Sequence, residues 1–517
     1  MKNRNIFRLL AAFSAILAAT GGIAGAQNSI SISKDAVKAE YNPMIFGHFI
    51  EHFSTQVYGG IFDPGNPLSD EDGLRTDVIE ALRDIKAPIV RWPGGCFVST
   101  YHWMGGIGPE REPVFDKSWG VEDSNTFGTD EYVKWCRKIG AEPYICTNAG
   151  TGTAEEMSDW VEYCNQNAGK FARMRAANGH PEPYDVKYWS IGNENYGRWE
   201  LGAKTVGEWG PLVCESSKLM RACDKDLVLF AAATPNRDWT LPLLESAGWN
   251  LDYVSIHSYW DFLTHENNPA PYLKCMMYTD DPDNTIENTI DIINESDEGD
   301  HIKIAYDEWN LRSWHHPGHG RLRDGFDVDA RRNNDINSTY TMADAVFSAC
   351  FYNACLRHSD YVQIACISPV VNTRGPVFAY KDGILKRSTY YVIWMYVNLL
   401  EKNVLPIDIT SDRLHYEDDS VDVIDAILSV DDSGSRYVLA VTNKDPENAV
   451  KVTLDKALFG KKLPSAVTAQ VLNGNGPDDY NEVGAEDHIV PRTKTLKLTR
   501  DGAVTLEPHS VTFIQFQ

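Results

Sequence analysis

Tyr188-Trp-Ser-Ile-Gly-Asn-Glu-Asn195 is the stretch from which the rest of the chain can be read. Val186 to Ile191 reads as a short strand, and Gly192-Asn193-Glu194 as the turn that ends it. An amide and a carboxylate therefore stand together at the C-terminal end of a strand. The arrangement returns in His301-Ile-Lys-Ile-Ala-Tyr-Asp-Glu-Trp-Asn310, an apolar strand that delivers Asp307 and Glu308.

Outward from these two stretches the chain keeps one rhythm. Strands are expected at Met44–Glu51, Pro88–Pro93, Pro143–Asn148, Val186–Ile191, Leu227–Ala233, Tyr253–Tyr259, Ile302–Asp307 and Tyr361–Ser368. Helical spacing falls between them, at Asp70–Ile85, Asp130–Ile139, Ala154–Gln166, Thr205–Ala222, Leu241–Ala247, Thr285–Asn294 and Thr341–Arg357, and Ser388–Leu400 closes the series. Eight apolar strands alternating with helices over about 350 residues predict an α/β fold, a (β/α)8 TIM barrel. Chemistry in such barrels sits at the C-terminal strand ends. Glu51, Cys96, Asn148, Asn193, Glu194, His257, Tyr259 and Glu308 all fall there. Two glutamates so placed are what a retaining glycosidase needs, one to protonate the leaving oxygen and one to attack the anomeric carbon.

After about residue 400 the helical spacing stops and short alternating strands follow, at Val421–Val430, Tyr437–Thr442, Val450–Leu454, Val467–Leu472, Thr495–Leu498 and Val511–Phe516. This predicts a C-terminal all-β sandwich, jelly-roll-like. The expected division is a signal peptide at 1–26, an N-terminal strand at 27–40 joining the sandwich, a barrel at 41–395 and the sandwich at 396–517.

The address is read from the first 26 residues. Lys2, Arg4 and Arg8 precede the apolar run Leu9 to Ala19, and Ala24-Gly25-Ala26 fits a small-residue cleavage site. Export is expected, to a periplasm first and to the medium second. The formal net charge of −25 argues against nucleic acid or an anionic membrane as partner. The ten cysteines show no CxxC pair and no zinc-type spacing, so most are expected to be buried thiols.

The residues also resemble a family, the α-L-arabinofuranosidases of glycoside hydrolase family 51. The resemblance rests on Ile45-Phe-Gly-His-Phe-Ile-Glu-His52, Arg91-Trp-Pro-Gly-Gly-Cys-Phe97, Tyr101-His-Trp103, Phe127-Gly-Thr-Asp-Glu131 and Gly140-Ala-Glu-Pro-Tyr144. It continues through Gly192-Asn-Glu-Asn195, Asp307-Glu-Trp-Asn310, Val371-Asn-Thr-Arg-Gly-Pro376 and Leu506-Glu-Pro-His-Ser-Val-Thr512. It implies a retaining, exo-acting enzyme that releases terminal α-L-arabinofuranosyl residues from plant polysaccharide fragments. Glu194 would be the acid/base and Glu308 the nucleophile, with Glu51, Cys96, Asn193 and Tyr259 around the sugar. Neighbouring strand residues face opposite ways, so only one of Asp307 and Glu308 is expected in the pocket. The residues alone leave both open, and the resemblance selects Glu308. The resemblance implies no cofactor and no metal, and the family's frequent oligomers keep a homo-oligomer open. One departure stands out: many members carry a sugar-contacting Gln where this chain has Pro369.

Several residues carry rival readings. Trp103 and Trp314 are expected as sugar platforms, and Arg91 as a buried structural cation near the carboxylates. His48-Phe-Ile-Glu51-His52 matches the H-x-x-E-H pattern of zinc peptidases, which would need it on a helix; Pro43 and Gly47 favour a strand instead. His315, His316 and His319 read as a polar loop near the site mouth rather than as metal ligands. An endo-β-glucanase of the same family is the alternative enzyme, and a non-catalytic sugar-binding protein has no use for two opposed carboxylates.

Overall fold

The computed structural model describes residues 28–263, 267–313, 334–459 and 463–516. Eight parallel strands close into a barrel. They are β1 (Gly47–Phe49), β2 (Ile89–Trp92), β3 (Glu142–Thr147), β4 (Tyr188–Ile191), β5 (Val228–Ala232), β6 (Tyr253–Phe262), β7 (Lys303–Ser313) and β8 (Val362–Ile367). Each pairs with its sequence neighbour, and β8 closes on β1 through Cys366 opposite Gly47. All eight expected strands are present. The first is shorter than expected because Pro43–Phe46 turns as a 3-10 helix, capped by the Asn42 side chain, before the strand begins.

The helices that cover the barrel include α1 (Thr76–Asp84), α2 (Thr129–Ile139), α3 (Ala154–Asn165), α4 (Val206–Cys223), α5 (Arg237–Ala247), α6 (Asp281–Glu295), α7 (Met342–Arg357) and α8 (Ser388–Leu399). Helix α1 starts six residues later than its pattern suggests. The Asp70 carboxylate accepts from the backbone N–H groups of Asp72 and Leu74, which holds that segment in a turn instead.

Alternation along the strands separates two packings. Phe49, Ile89, Tyr144, Phe230, Ala305, Ile364 and Cys366, drawn from six strands, form one buried cluster. This is the barrel interior. Val90, Ile145, Trp189, Leu229, Val254 and Ile304 belong to the larger cluster shared with the helices. The strands are buried on both faces, which is why they read as apolar throughout.

The C-terminal part forms two larger sheets and the two-stranded sheet of Arg413–Tyr416 and Asp419–Asp422. Asn403–Leu405, Ile424–Val430, Tyr437–Asn443, Ser510–Phe516, Ala466–Leu472 and Arg492–Lys497 make most of a seven-stranded sheet. Ser29–Ile32 lies in the other, between Ile407–Thr410 and Val450–Leu454. The large sheet packs on α7 and α8: Tyr396 meets Phe513 edge-on at 5.0 Å, and Asn353 and Arg357 both bond Asp425. The last strand is thereby fastened to α8, and the strand that carries Asp425 to α7. No described helix is long and apolar enough to cross a membrane.

Candidate active site

Two backbone irregularities build the site. The first is the turn after β4. Gly192 has φ +73°, and a Cβ there would fall 2.0 Å from Asn195 Oδ1 and 2.7 Å from Trp209, so only glycine fits. Glu194 itself sits at φ +46°, a left-handed conformation that a glutamate adopts only when its surroundings hold it. The strain re-aims its carboxylate over the barrel mouth.

The second irregularity is in β7. Ser255 pairs with Ala305 and His257 with Glu308, so β7 has one residue more than β6 over that interval. Against β8, Tyr306 pairs with Ala365 and Trp309 with Ile367, the same surplus. This is a β-bulge, and it overturns the expectation that Asp307 and Glu308 must face opposite ways. Tyr306 and Trp309 both pack outward on Phe351 of α7. Asp307 and Glu308 both turn inward, to the same arginine and the same histidine. Simple alternation fails because it assumes an unbroken pleat.

Asp307 is the deeper of the two. It accepts from Tyr144 Oη at 2.6 Å and Ser255 Oγ at 2.6 Å, and lies 3.3 Å from Arg91 Nε and from His257 Nε2. Burial opposes its charge, but Arg91 and His257 outweigh burial and keep it below the ordinary carboxylate range. It acts as the anchor on which the histidine and arginine are set. Arg91 also donates to Asn193 Oδ1 at 2.8 Å and lies 3.9 Å from Glu308, so it is the buried cation expected near the carboxylates.

His257 joins the two glutamates. Its Nδ1 lies 3.0 Å from Glu194 Oε1 and 2.8 Å from Glu308 Oε2. Oxygens of the two carboxylates lie within 4.8 Å of each other. Burial disfavours charge on the imidazole, but Glu308, Asp307 and Glu194 overcome it and hold the ring as imidazolium. Burial likewise opposes ionisation of Glu308, and His257, Arg91 and Arg374 overcome it, so Glu308 is held ionised.

The remaining expected residues divide. Glu51 is buried, and its Oε1 accepts from Phe97 N and Trp119 Nε1, both at 3.0 Å. Burial and the charge of Glu308 push its pKa up to about 8. Glu51 is therefore a neutral acid at pH 7, able to donate to a hydroxyl. Gly94 makes room for it: a Cβ there would stand 2.4 Å from Glu51 Cγ. Cys96, Glu194 and Glu200 offer ligand atoms within 4.8 Å of one another, and burial beside these carboxyls keeps the Cys96 thiol protonated. Tyr259 donates to Ser368 Oγ at 2.8 Å and accepts from Arg374 Nη2 at 3.1 Å.

Trp103 is a correction. It is 1 % exposed, stacks parallel to Trp160 at 5.9 Å and donates to Glu156 O, so it belongs to the aromatic core under α3 and offers no face to a sugar. Trp314 and the histidines 315, 316 and 319 lie outside the described residues. Among the described residues, the tryptophans at the carboxylates are two others. Trp199, 64 % exposed, donates to Glu194 Oε2 at 2.7 Å, and Trp119 bonds Glu51. His48 and His52 lie on β1 and the loop after it, not on a helix. Nδ1 of His52 meets Asp123 at 2.9 Å and its Nε2 accepts from Trp92 at 3.1 Å, which leaves it no lone pair for zinc.

Sequence reasoning passed over Glu200, a carboxyl only 4 % exposed whose Oε2 accepts weakly from Asn193 Nδ2 at 3.5 Å. Burial, with the charges of Glu194 and Glu308, pushes its pKa up to about 7 against hydrogen bonds from Cys96 and Ser99. The folded value lies above the unfolded 4.5, so below 4.5 both states are protonated and Glu200 is neutral in effect. As pH rises through 7 folding bears the full penalty, on the order of 3 kcal/mol. Glu200→Gln is therefore expected to melt a few degrees above wild type at pH 8, with the gap closing toward pH 4.5. Parallel melting profiles across that range would show that Glu200 is ionised without penalty.

An eight-stranded parallel barrel that brings together two carboxylates, one just past its fourth strand and one at the bulge of its seventh, has the layout of a retaining glycoside hydrolase. The comparisons with known proteins narrow the class. Residues 81–272 match the α-L-arabinofuranosidase 1 domain, and residues 307–510 the α-L-arabinofuranosidase C-terminal domain. The chain is 32 % identical to α-L-arabinofuranosidase C of Emericella nidulans, over 94 % of this chain and 97 % of that protein. It is 29 % identical to an intracellular exo-α-(1→5)-L-arabinofuranosidase of Halalkalibacterium halodurans, over 92 % and 93 %. Among solved structures, the Thermotoga maritima α-L-arabinofuranosidase, crystallised as an arabinose complex, superposes with a TM-score of 0.82 at 32 % identity, covering 95 % of this chain and 99 % of that one. A family 51 α-L-arabinofuranosidase from Bifidobacterium longum gives 0.85 at 28 % identity, covering 95 % and 99 %. The chain belongs to the α-L-arabinofuranosidases of glycoside hydrolase family 51.

Proposed function

We propose that the protein is a retaining, exo-acting α-L-arabinofuranosidase, with Glu308 as nucleophile and Glu194 as acid/base. The observation that carries the reading is the carboxylate pair, bridged by one imidazolium and with oxygens within 4.8 Å. Retaining enzymes hold their two carboxyl groups roughly 5 Å apart, whereas inverting enzymes leave room for a water between them.

In the first step an ionised Glu308 oxygen bonds to the anomeric carbon. The glycosidic bond breaks, and its electron pair stays with the leaving oxygen, which takes the Glu194 proton. In the second step Glu194 removes a proton from water, the water oxygen bonds to the anomeric carbon, and the ester bond to Glu308 breaks. Arg91 sets Asn193 beside the acid, where its amide can meet the 2-hydroxyl, a contact that strengthens in the transition state. Neutral Glu51 and Tyr259 stand where further ring hydroxyls would be held. Terminal arabinofuranosyl groups on plant polysaccharide fragments are the proposed substrate. Export is proposed from the Lys2–Ala26 segment, and the charge of −25 fits a partner that is not a polyanion.

The test is turnover of an aryl α-L-arabinofuranoside beside an aryl β-xyloside and a soluble β-glucan. Proton NMR then follows the anomer first released. Selective turnover of the arabinofuranoside with retained configuration is expected. Preference for the glucan would support the endo-glucanase instead, and an inverted first product would rule out double displacement.

A further inference from the structure

Pro369, two residues past β8, offers the site no side-chain hydrogen bond. A cation five residues on reaches the same pocket wall. Arg374 Nε donates to Ser368 O at 2.8 Å and its Nη2 to Tyr259 Oη at 3.1 Å, while the guanidinium lies 4.7 Å from the centroid of the Tyr259 ring. The backbone around it is pinned: Asn310 Nδ2 donates to Arg374 O, and Arg387 Nη1 donates to Thr373 O and Gly375 O. The fork is thus fixed at two of its three nitrogens. Nη1 makes no protein hydrogen bond among the described residues, and the side chain is only half-buried. Its charge is felt at both Glu308 and Glu51, the carboxyls on either side of the sugar site. A pinned guanidinium with an open donor beside the nucleophile is a recognition group, since Arg loses little freedom on making one more hydrogen bond.

We propose that Arg374 is a specificity-determining residue whose Nη1 donates to one hydroxyl of the bound arabinofuranose. The inference rests on the arabinofuranosidase reading of the same site. It differs from a structural role for Arg374 in one measurable way. A structural residue affects every substrate alike, whereas a hydrogen-bond donor discriminates for the hydroxyl it holds.

The experiment compares kcat/KM for an aryl α-L-arabinofuranoside and its 2-deoxy, 3-deoxy and 5-deoxy analogues in wild type, Arg374→Met and Arg374→Lys. A charge-assisted hydrogen bond supports a loss of about 10- to 100-fold on the parent glycoside in Arg374→Met. For one analogue the wild-type penalty for the missing hydroxyl should collapse toward unity in Arg374→Met, while the other two penalties persist. Arg374→Lys keeps the charge but not the fork and should fall between, and it serves as the readout should the methionine variant fail to fold. Unchanged penalties for all three analogues in the variants, with an active wild type, would overturn the Arg374 contact alone. A wild type inactive on every arabinofuranoside would overturn the proposed function and this contact with it.

Discussion

Glu308→Ala is expected to lose turnover on every substrate, by about four orders of magnitude or more, because no covalent intermediate can form. The structure explains why this group is ionised. His257, Arg91 and Arg374 all favour its ionised form, and the bulge in β7 aims it at the pair's other member rather than at α7. Leaving groups that need no protonation should not restore the rate, since the missing element is the attacking oxygen. Azide can occupy the space vacated by the carboxylate and attack from that face in its place. The product should then be a glycosyl azide of inverted configuration, after a single displacement. Retained azide product from this variant would assign the nucleophile's role to Glu194.

Glu194→Ala should behave differently, and the contrast is the stronger evidence. The first step needs Glu194 only as proton donor to the leaving oxygen, and that need depends on how basic the leaving oxygen is. An aryl leaving group of low basicity departs without that proton, so the first step should remain near its wild-type rate on such substrates. The second step needs Glu194 as base and should slow by about 100-fold or more. The enzyme should give a burst of released phenol and then stall as a glycosyl-enzyme. Azide needs no base, so it should restart turnover and give a glycosyl azide of retained configuration. Natural arabinosides, with poor leaving groups, should show no burst. Inverted azide product here would exchange the roles assigned to Glu194 and Glu308.

Much of this was legible in the sequence. The apolar strands between helical patterns announced the barrel, because strands buried on both faces have no polar side to hide the signal. Gly192-Asn193-Glu194 was readable as a turn, and the steric demand at Gly192 shows why that residue is glycine. What failed was anything set by tertiary contact. Trp103 looked like a platform because it follows a strand end, yet Trp160 of α3 captures its face. Trp199 and Trp119 reach the carboxylates through loop conformations that no period encodes. The bulge in β7 left no mark in the hydrophobic pattern, so Asp307 and Glu308 seemed to exclude each other when the fold uses both. Glu200 went unnoticed because burial of a lone carboxyl follows from its neighbours, not from its own segment.

The central claim is that Glu308, and not the equally inward Asp307, forms the bond to the sugar. The direct test is to mix Glu194→Ala with an aryl α-L-arabinofuranoside, quench in acid after the burst, digest, and locate the modified peptide by fragmentation mass spectrometry. The account predicts one added pentosyl group on the Glu308 side chain, in a peptide that leaves Asp307 unmodified. A pentosyl group on Asp307, or a burst of phenol with no covalent adduct at all, would contradict it.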